Sequence, residues 1–159
     1  MPGARLGLVV GLLAAVYIFS PLNGHLWWLG LLVGLLALVC IAPFAVRRAT
    51  SVAESDAPLR AAAEAILIVA GMVVFGFSSV YLAINRNGTQ FEGMSTRLDA
   101  IYFTITTVAT VGYGDVHPTG QLARALVSLQ MLFDLTLLAL SVRLLSAAAK
   151  ERVSGRDSL

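Results

Sequence analysis

Four apolar runs, separated by short polar breaks, dominate the chain. They are Leu6–Phe19, Leu26–Val46, Ala61–Ile84 and Leu122–Ala149, and a typical hydrocarbon core requires about 20 residues of helix. The pattern predicts an all-α membrane protein with four transmembrane helices. The first run is short, so it is either a retained helix or a cleaved signal peptide. We favour a retained helix, because 18–21 reads Ile-Phe-Ser-Pro and is a poor cleavage site.

A fifth apolar run, Leu98–Ala109, is too short to cross a bilayer and is expected to re-enter it. Ser95 or Thr96 can cap this helix, and Asp99, three residues after Thr96, completes a capping-box pattern. Irregular backbone at membrane depth is tolerated only where protein buries it or water lines it. The residues that follow Ala109 are therefore expected to form a loop inside the protein.

The polar breaks divide the chain into four parts. We expect an N-terminal two-helix membrane hairpin over 1–46, a cytoplasmic linker over 47–60, a membrane unit over 61–149 and a short, disordered cytoplasmic tail over 150–159. Pro58 fits the first turn of a helix that leads into the third span.

Basic residues set the orientation of these parts. They precede the first span, occupy the linker and follow the fourth span (Arg5; Arg47, Arg48 and Arg60; Lys150, Arg152 and Arg156). Cytoplasmic loops carry an excess of Lys and Arg. Both termini are therefore predicted to be cytoplasmic, and the loop after the re-entrant helix faces outward.

Composition supports a bilayer location. Of the 159 residues 58% are hydrophobic and 13% are charged, against about 25% charged residues in an average soluble domain. The net charge of +2 is small and dispersed, so we expect no nucleic-acid partner. Cys40 lies inside an apolar run and offers neither a disulfide pair nor a metal cluster.

The first two spans lack the regular ladder of Arg or Lys that a voltage sensor requires. They do contain glycines at four-residue spacing, namely Gly3, Gly7 and Gly11, then Gly30 and Gly34. Small residues at this spacing let helices approach closely. Ordinary glycine abundance in membrane helices is the alternative explanation.

The loop after the re-entrant helix reads Thr110-Val111-Gly112-Tyr113-Gly114. A dehydrated cation must be held by oxygens that replace its water shell, and a short strand can supply a column of backbone carbonyls. The two glycines reach backbone angles that other residues resist, so successive carbonyls can point the same way. The residues between them then turn their side chains outward, where packing holds the strand open.

This loop, with the short helix before it and apolar spans on both sides, resembles the pore module of the potassium-channel superfamily over about residues 60–149. The resemblance implies a K⁺-selective channel rather than an enzyme, located in the cell membrane. K⁺ would be the permeant ion, and no cofactor is expected. One chain supplies one strand of a coordination ring, so a homotetramer embedded in lipid is expected, with the fourth span lining its axis.

The resemblance also implies supporting residues around the loop. In related channels the segment matched by residues 110–114 is the selectivity filter, and an aromatic residue at the place of Tyr102 hydrogen-bonds to the acid that follows it. The resemblance therefore suggests a Tyr102–Asp115 hydrogen bond. An interfacial aromatic is the alternative. Many relatives have Glu or Val where this chain has Thr106. The hydroxyls of Thr106 and Thr107 can bond behind the filter.

His117 lies two residues after Asp115 and falls on the predicted outer mouth. Histidine ordinarily changes its charge in the range of physiological pH. Four protonated copies would oppose cation entry, so His117 is a candidate sensor of external acid. A solvated turn histidine is the alternative interpretation.

Asp134 is an ionisable residue within the fourth span, 24 residues after Thr110, where many relatives have a hinge glycine. Such a residue is a functional-site hypothesis by default. It either faces the cavity, where four carboxylates would attract internal Mg²⁺ or polyamines, or accepts hydrogen bonds from Thr106 or Thr107 as a strut. We favour the strut, because the hinge position does not point squarely at the axis.

Two other functions fit the pattern. One is a less selective cation channel of the same fold, which Tyr113 argues against. The other is a non-conducting membrane scaffold or regulatory subunit.

Overall fold

The computed structural model describes residues 58–86 and 88–154, and within the N-terminal part it describes positions 11, 15, 17, 18, 28, 31, 32, 34–41, 43 and 44. Three helices and two short strands follow one another from residue 58 onward. They are α1 (Pro58–Ile84), β1 (Phe91–Glu92), α2 (Arg97–Val108), β2 (His117–Pro118) and α3 (Gln121–Ser154). The described N-terminal positions are all helical.

Helix α1 is the third predicted span, α2 is the predicted re-entrant helix, and α3 is the fourth predicted span. Pro58 opens α1 as predicted, because its missing N–H is unpaired at that position in any helix. However, α3 continues to Ser154, so the prediction of a disordered tail from residue 150 is wrong for 150–154. The residues that end the apolar run there, among them Ala149, Lys150 and Glu151, are strong helix formers.

Two helices of the described chain are long and apolar enough to cross a bilayer, Leu59–Ile84 with a mean hydropathy of 2.3 and Gln121–Arg143 with 1.9. They differ in how the protein covers them. In the most apolar stretch of each helix, 56% is buried in α1 but only 17% in α3. Most of the apolar surface of α3 therefore has to be covered by something outside this single chain.

The core between the three helices is an aromatic cluster around Tyr81 of α1. The Tyr81 ring lies 5.2 Å from the ring of Phe91, 5.5 Å from Phe103 and 5.8 Å from Phe77, measured between centroids. Tilted and edge-on aromatic pairs of this kind contribute about 0.5–1.5 kcal/mol each beyond the area they bury. The cluster fixes α2 against α1, which matters because α2 leads directly into the 110–114 segment.

Asn85, at the end of α1, organises the loop that returns toward this segment. Its side-chain oxygen accepts hydrogen bonds from the backbone N–H of Gln90 and Phe91, and its amide donates to the carbonyl of Met94 at 2.9 Å. Strand β1 of that loop then pairs antiparallel with β2, with Phe91 opposite Pro118. No pattern in the sequence predicted these two short strands.

The described helical residues of the N-terminal part pack on α1. A Cβ placed on Gly34 would lie 2.8 Å from the carbonyl oxygen of Gly76 and 3.0 Å from the Cβ of Ser79. The close-packing interpretation is therefore confirmed for Gly34, whereas a Cβ on Gly11 would meet nothing within 4 Å. Gly3, Gly7 and Gly30 lie outside the described residues, as do most residues of the first predicted span.

Candidate functional site

Helix α2 begins with the predicted capping box. The Asp99 N–H donates to the Thr96 hydroxyl at 3.2 Å, and the Asp99 carboxylate accepts from the N–H of Thr96 at 2.7 Å and of Ser95 at 2.8 Å. Partial burial raises the pKa of Asp99, but these hydrogen bonds together lower it by more. The pKa of Asp99 is therefore below its ordinary value. The cap is therefore formed by the ionised carboxylate and is weakened only in acid.

The 110–114 segment alternates between two backbone conformations. Thr110, Gly112 and Gly114 have φ values of 57°, 55° and 84°, whereas Val111 and Tyr113 between them do not have positive φ. Left-handed backbone is accessible to glycine but uncommon for a β-branched residue such as threonine. The alternation turns every second peptide and lets an extended strand direct its carbonyl groups to one side.

Backbone hydrogen bonds fasten the start of this segment to the end of α2. The carbonyl oxygen of Thr106 accepts from the N–H of Val111 at 2.9 Å and of Gly112 at 3.2 Å, and Thr110 donates to the carbonyl of Thr107 at 2.9 Å. Strained backbone persists only where surrounding contacts over-determine it. These three bonds hold Thr110 in its unusual conformation.

The side chains of Val111 and Tyr113 are mostly exposed in the single chain. Tyr113 is 72% exposed, and together with Val111, Leu98 and Ile105 it forms an exposed surface beside the segment. The Tyr113 ring stacks on that of Tyr102, with parallel planes and centroids 6.4 Å apart. This outward apolar surface is suited to packing against another protein surface.

Asp115 is tied to α2 at the outer end of the segment. The Tyr102 hydroxyl donates to the Asp115 carboxylate at 2.8 Å, which is the hydrogen bond that the resemblance suggested. This bond raises the pKa of Tyr102, because it stabilises the neutral phenol beside a carboxylate. Gly93 packs directly against the backbone of Asp115 at this end of the segment, because a Cβ on Gly93 would overlap the carbonyl oxygen of Asp115.

The threonine hydroxyls of α2 are used differently from the prediction. Thr106 and Thr107 both donate to the carbonyl of Phe103, at 2.9 and 2.8 Å, so they do not bond to the 110–114 segment or to Asp134. A residue that the sequence analysis missed, Ser78 of α1, donates to the Thr104 hydroxyl at 3.0 Å. This buried pair fastens the middle of α2 to α1.

Asp134 acts as part of a strut, but through other partners than predicted. Gln130 donates to one carboxylate oxygen at 3.0 Å and accepts from the Tyr81 hydroxyl, which links α3 to the aromatic cluster. The predicted hydrogen bonds from Thr106 or Thr107 are absent because both hydroxyls are committed to Phe103. Gln130 could have been noticed, since it lies four residues before Asp134 on the same helix face.

The other Asp134 oxygen, Oδ1, is buried and has no hydrogen-bond partner among the described residues. The side chain is 9% exposed and borders a cleft of about 480 Å³ between α2, the 110–114 segment and α3. Thr106, Thr107 and Thr110 line the same cleft, whose other walls are mainly apolar. Asp134 therefore links to α1 through Gln130 rather than to α2, and its placement beside the central cavity of an assembled pore stays a prediction.

His117 contacts the outer end of the segment directly. Its Nδ1 lies 3.1 Å from the carbonyl oxygen of Gly114, and its Nε2 lies 3.5 Å from the carboxylate of Glu92 on the paired strand. The side chain is about half exposed. Because a carbonyl oxygen only accepts, Nδ1 carries the proton in this geometry, and a second proton on Nε2 would complete an ion pair with Glu92.

Comparison with known proteins identifies the class to which this site belongs. The family model described as "Ion channel" matches residues 63–151, which is more than half of the chain. The chain therefore belongs to the ion channel family, and its two long apolar helices fit the membrane location that this family requires. The match covers α1 to α3 and the 110–114 segment except for the first residues of α1 and the last of α3.

Individual relatives are potassium channels by name. The chain is 31% identical over 112 residues to a protein of Rhodopseudomonas palustris named as a "putative potassium channel protein", covering 70% of this chain and 26% of that protein. It is 39% identical over 57 residues to the inward rectifier potassium channel Kirbac3.1 of Paramagnetospirillum magnetotacticum, covering 36% and 19%. A 40-residue match to potassium channel AKT2/3 of Arabidopsis thaliana has 48% identity, covering 25% and 5%.

The chain thus matches about a quarter of the length of the Rhodopseudomonas relative and less of the other two. No solved structure gives a significant match.

Proposed function

We propose that the chain is a subunit of a potassium-selective channel that conducts K⁺ passively through a homotetrameric pore. The observation that carries this proposal is the backbone of the 110–114 segment. Positive φ at every second residue is the conformation that a strand needs in order to present consecutive carbonyls to one axis. Rings of such carbonyls replace the hydration shell of K⁺ in selective filters.

Four copies are needed because one strand provides only one oxygen at each level of the coordination ring. The exposed surface of Leu98, Ile105, Val111 and Tyr113 and the poorly covered α3 are the surfaces that assembly would bury. In the tetramer α3 lines the axis below the filter. The carbonyl end of α2 points toward the central cavity, where its partial negative charge favours a waiting cation.

Asp134 and His117 modulate this pore from opposite ends. Asp134 borders the cleft, where a carboxylate in each subunit would attract cations from the inner side. His117 lies against the carbonyl of Gly114, so external protons act there at the outer mouth of the pore. Both termini face the cytoplasm of a cell-membrane protein, the first two spans surround the pore as retained helices, and K⁺ is the permeant ion rather than a cofactor.

Ion flux into liposomes that contain the purified protein tests this proposal. An outward K⁺ gradient with a proton ionophore should drive proton uptake, Rb⁺ should replace K⁺, and Na⁺ should not. Ba²⁺ should block the flux, because it is similar to K⁺ in size but carries twice the charge. Equal flux of Na⁺ and K⁺ would favour the less selective channel, and no flux of any cation would favour the scaffold.

A further inference from the structure

We propose that the N-terminal membrane segment positions α2, and through it the selectivity filter, by means of a reciprocal contact between Tyr17 and Arg97. The inference rests on the proposed function, because it assigns a role to residues that act on the filter from a distance. Arg97 is the first residue of α2, and Tyr17 lies near the end of the first predicted span. Both residues are positioning residues, since neither touches the ion path.

The contact is built from three hydrogen bonds in both directions. The Tyr17 hydroxyl donates to the Arg97 carbonyl at 2.8 Å. The Arg97 guanidinium donates to the Tyr17 carbonyl at 2.7 Å and also to the carbonyl of Ile18. Hydrogen bonds from a charged guanidinium to a carbonyl oxygen are stronger than those between neutral groups.

Packing shows that this contact is part of an interface. Tyr17 is 2% exposed, and its ring lies 5.7 Å from that of Phe75 in α1. The Gly34–Gly76 approach is a second point at which the N-terminal part meets α1. The N-terminal part is therefore seated on α1 and reaches α2 through Arg97.

The geometry of α2 makes this contact effective at the filter. The helix is fastened to α1 at its middle by the Ser78–Thr104 hydrogen bond and to the N-terminal part at its start by Arg97. At about 1.5 Å per residue, Arg97 lies about 10 Å from Thr104 on one side, and Val108, the last residue of α2, lies about 6 Å from it on the other. A shift of about 1 Å at Arg97 would therefore move the end of α2, to which the 110–114 segment is bonded, by about 0.6 Å in the opposite direction.

Such a shift is large for an ion-coordinating site, because functional groups are held within about 0.5 Å of their working geometry. Two attachment points, one at the middle and one at the end, fix the direction of a rigid helix, whereas one leaves a pivot. The Tyr17–Arg97 contact thus removes the freedom of α2 to tilt. Loss of the contact is expected to loosen the filter without removing any of its ligands.

Single-channel recording of the full-length protein in lipid bilayers tests this inference. Tyr17→Phe removes one hydroxyl and keeps the ring, and Arg97→Gln removes the guanidinium. We expect each variant to shorten the mean open time about tenfold and to lower the K⁺/Na⁺ permeability ratio. Arg97→Lys, which keeps the positive charge, should retain part of the wild-type open time and part of the K⁺/Na⁺ permeability ratio. Arg60→Gln, which removes an exposed charge at the opposite end of α1, is the matched control and should behave as wild type.

The double variant Tyr17→Phe/Arg97→Gln should be worse than either single variant, because each side chain donates to a backbone carbonyl that the other substitution leaves in place. If Arg97→Gln fails to assemble, Tyr17→Phe alone decides the matter. A selective wild type whose variants keep its open time and selectivity, even if they melt at lower temperature, would overturn this inference alone. A wild type without K⁺-selective current would overturn the proposed function, and the inference with it.

Discussion

Replacing Gly112 by alanine perturbs the backbone of the filter without removing any coordinating atom. Gly112 has a φ of 55°, which glycine adopts readily and alanine does not. A Cβ at this position would meet no atom within 4 Å apart from those of the two adjoining residues. The cost of the substitution is therefore conformational rather than a clash within the subunit.

The size of this cost can be worked out from the backbone. Left-handed conformation costs a residue with a Cβ about 1–2 kcal/mol, which lowers the population of the native strand about 5- to 30-fold. If four strands must hold the conformation together, the fraction of intact filters falls by a factor on the order of several hundred or more, because the independent factors multiply. A strand that relieves the strain by turning one peptide removes a carbonyl from the ion path.

We therefore expect Gly112→Ala to abolish selective flux. The assay is Rb⁺ uptake into liposomes in the presence of competing Na⁺, with the melting temperature of the same preparation measured in parallel. Gly88→Ala is the matched control, because Gly88 also has positive φ, 65°, with nothing within 4 Å of an added Cβ, but lies in the loop after α1. Selective uptake retained by Gly112→Ala, or lost equally in both variants, would refute the reasoning.

Three further predictions concern the ends of the pore and its assembly. External acid should reduce the current of the wild type more than that of His117→Asn, and identical pH responses would exclude His117. Asp134→Asn should weaken block by internal Mg²⁺ and keep the tetramer intact, whereas unchanged block with lower heat stability would leave Asp134 as a strut alone. K⁺ should raise the melting temperature of a detergent-solubilised tetramer more than Na⁺ does, since an ion that binds only the folded assembly stabilises it by mass action. A monomer with equal melting in both salts would contradict this.

The main elements could be predicted because their signals are local. Apolar length and flanking polar residues placed α1, α2 and α3 within a few residues, and the capping box of Thr96 and Asp99 needs only residues three positions apart. The glycines of the 110–114 segment pointed to left-handed backbone for the same reason. The positive φ of Thr110 could not be anticipated, because the local preference of threonine opposes it and three bonds to the end of α2 impose it.

The contacts behind the filter depend on side chains that are distant in sequence. Gln130 meets Tyr81 across 49 positions, and Ser78 meets Thr104 across 26, so no local pattern reveals either pair. The strut predicted from Thr106 or Thr107 to Asp134 was wrong because helix hydroxyls have a nearer acceptor in their own preceding turn. Asn85 was missed for a similar reason, since its role appears only once the loop folds back over it.

The most direct test of a potassium-selective pore is the reversal potential of the wild-type protein in a planar bilayer, with K⁺ on one side and Na⁺ on the other. Selective coordination by the 110–114 carbonyls predicts a reversal potential far from zero, of the sign that corresponds to K⁺ permeation with Na⁺ largely excluded. A reversal potential near zero, with K⁺ and Na⁺ carrying comparable current, would contradict the account.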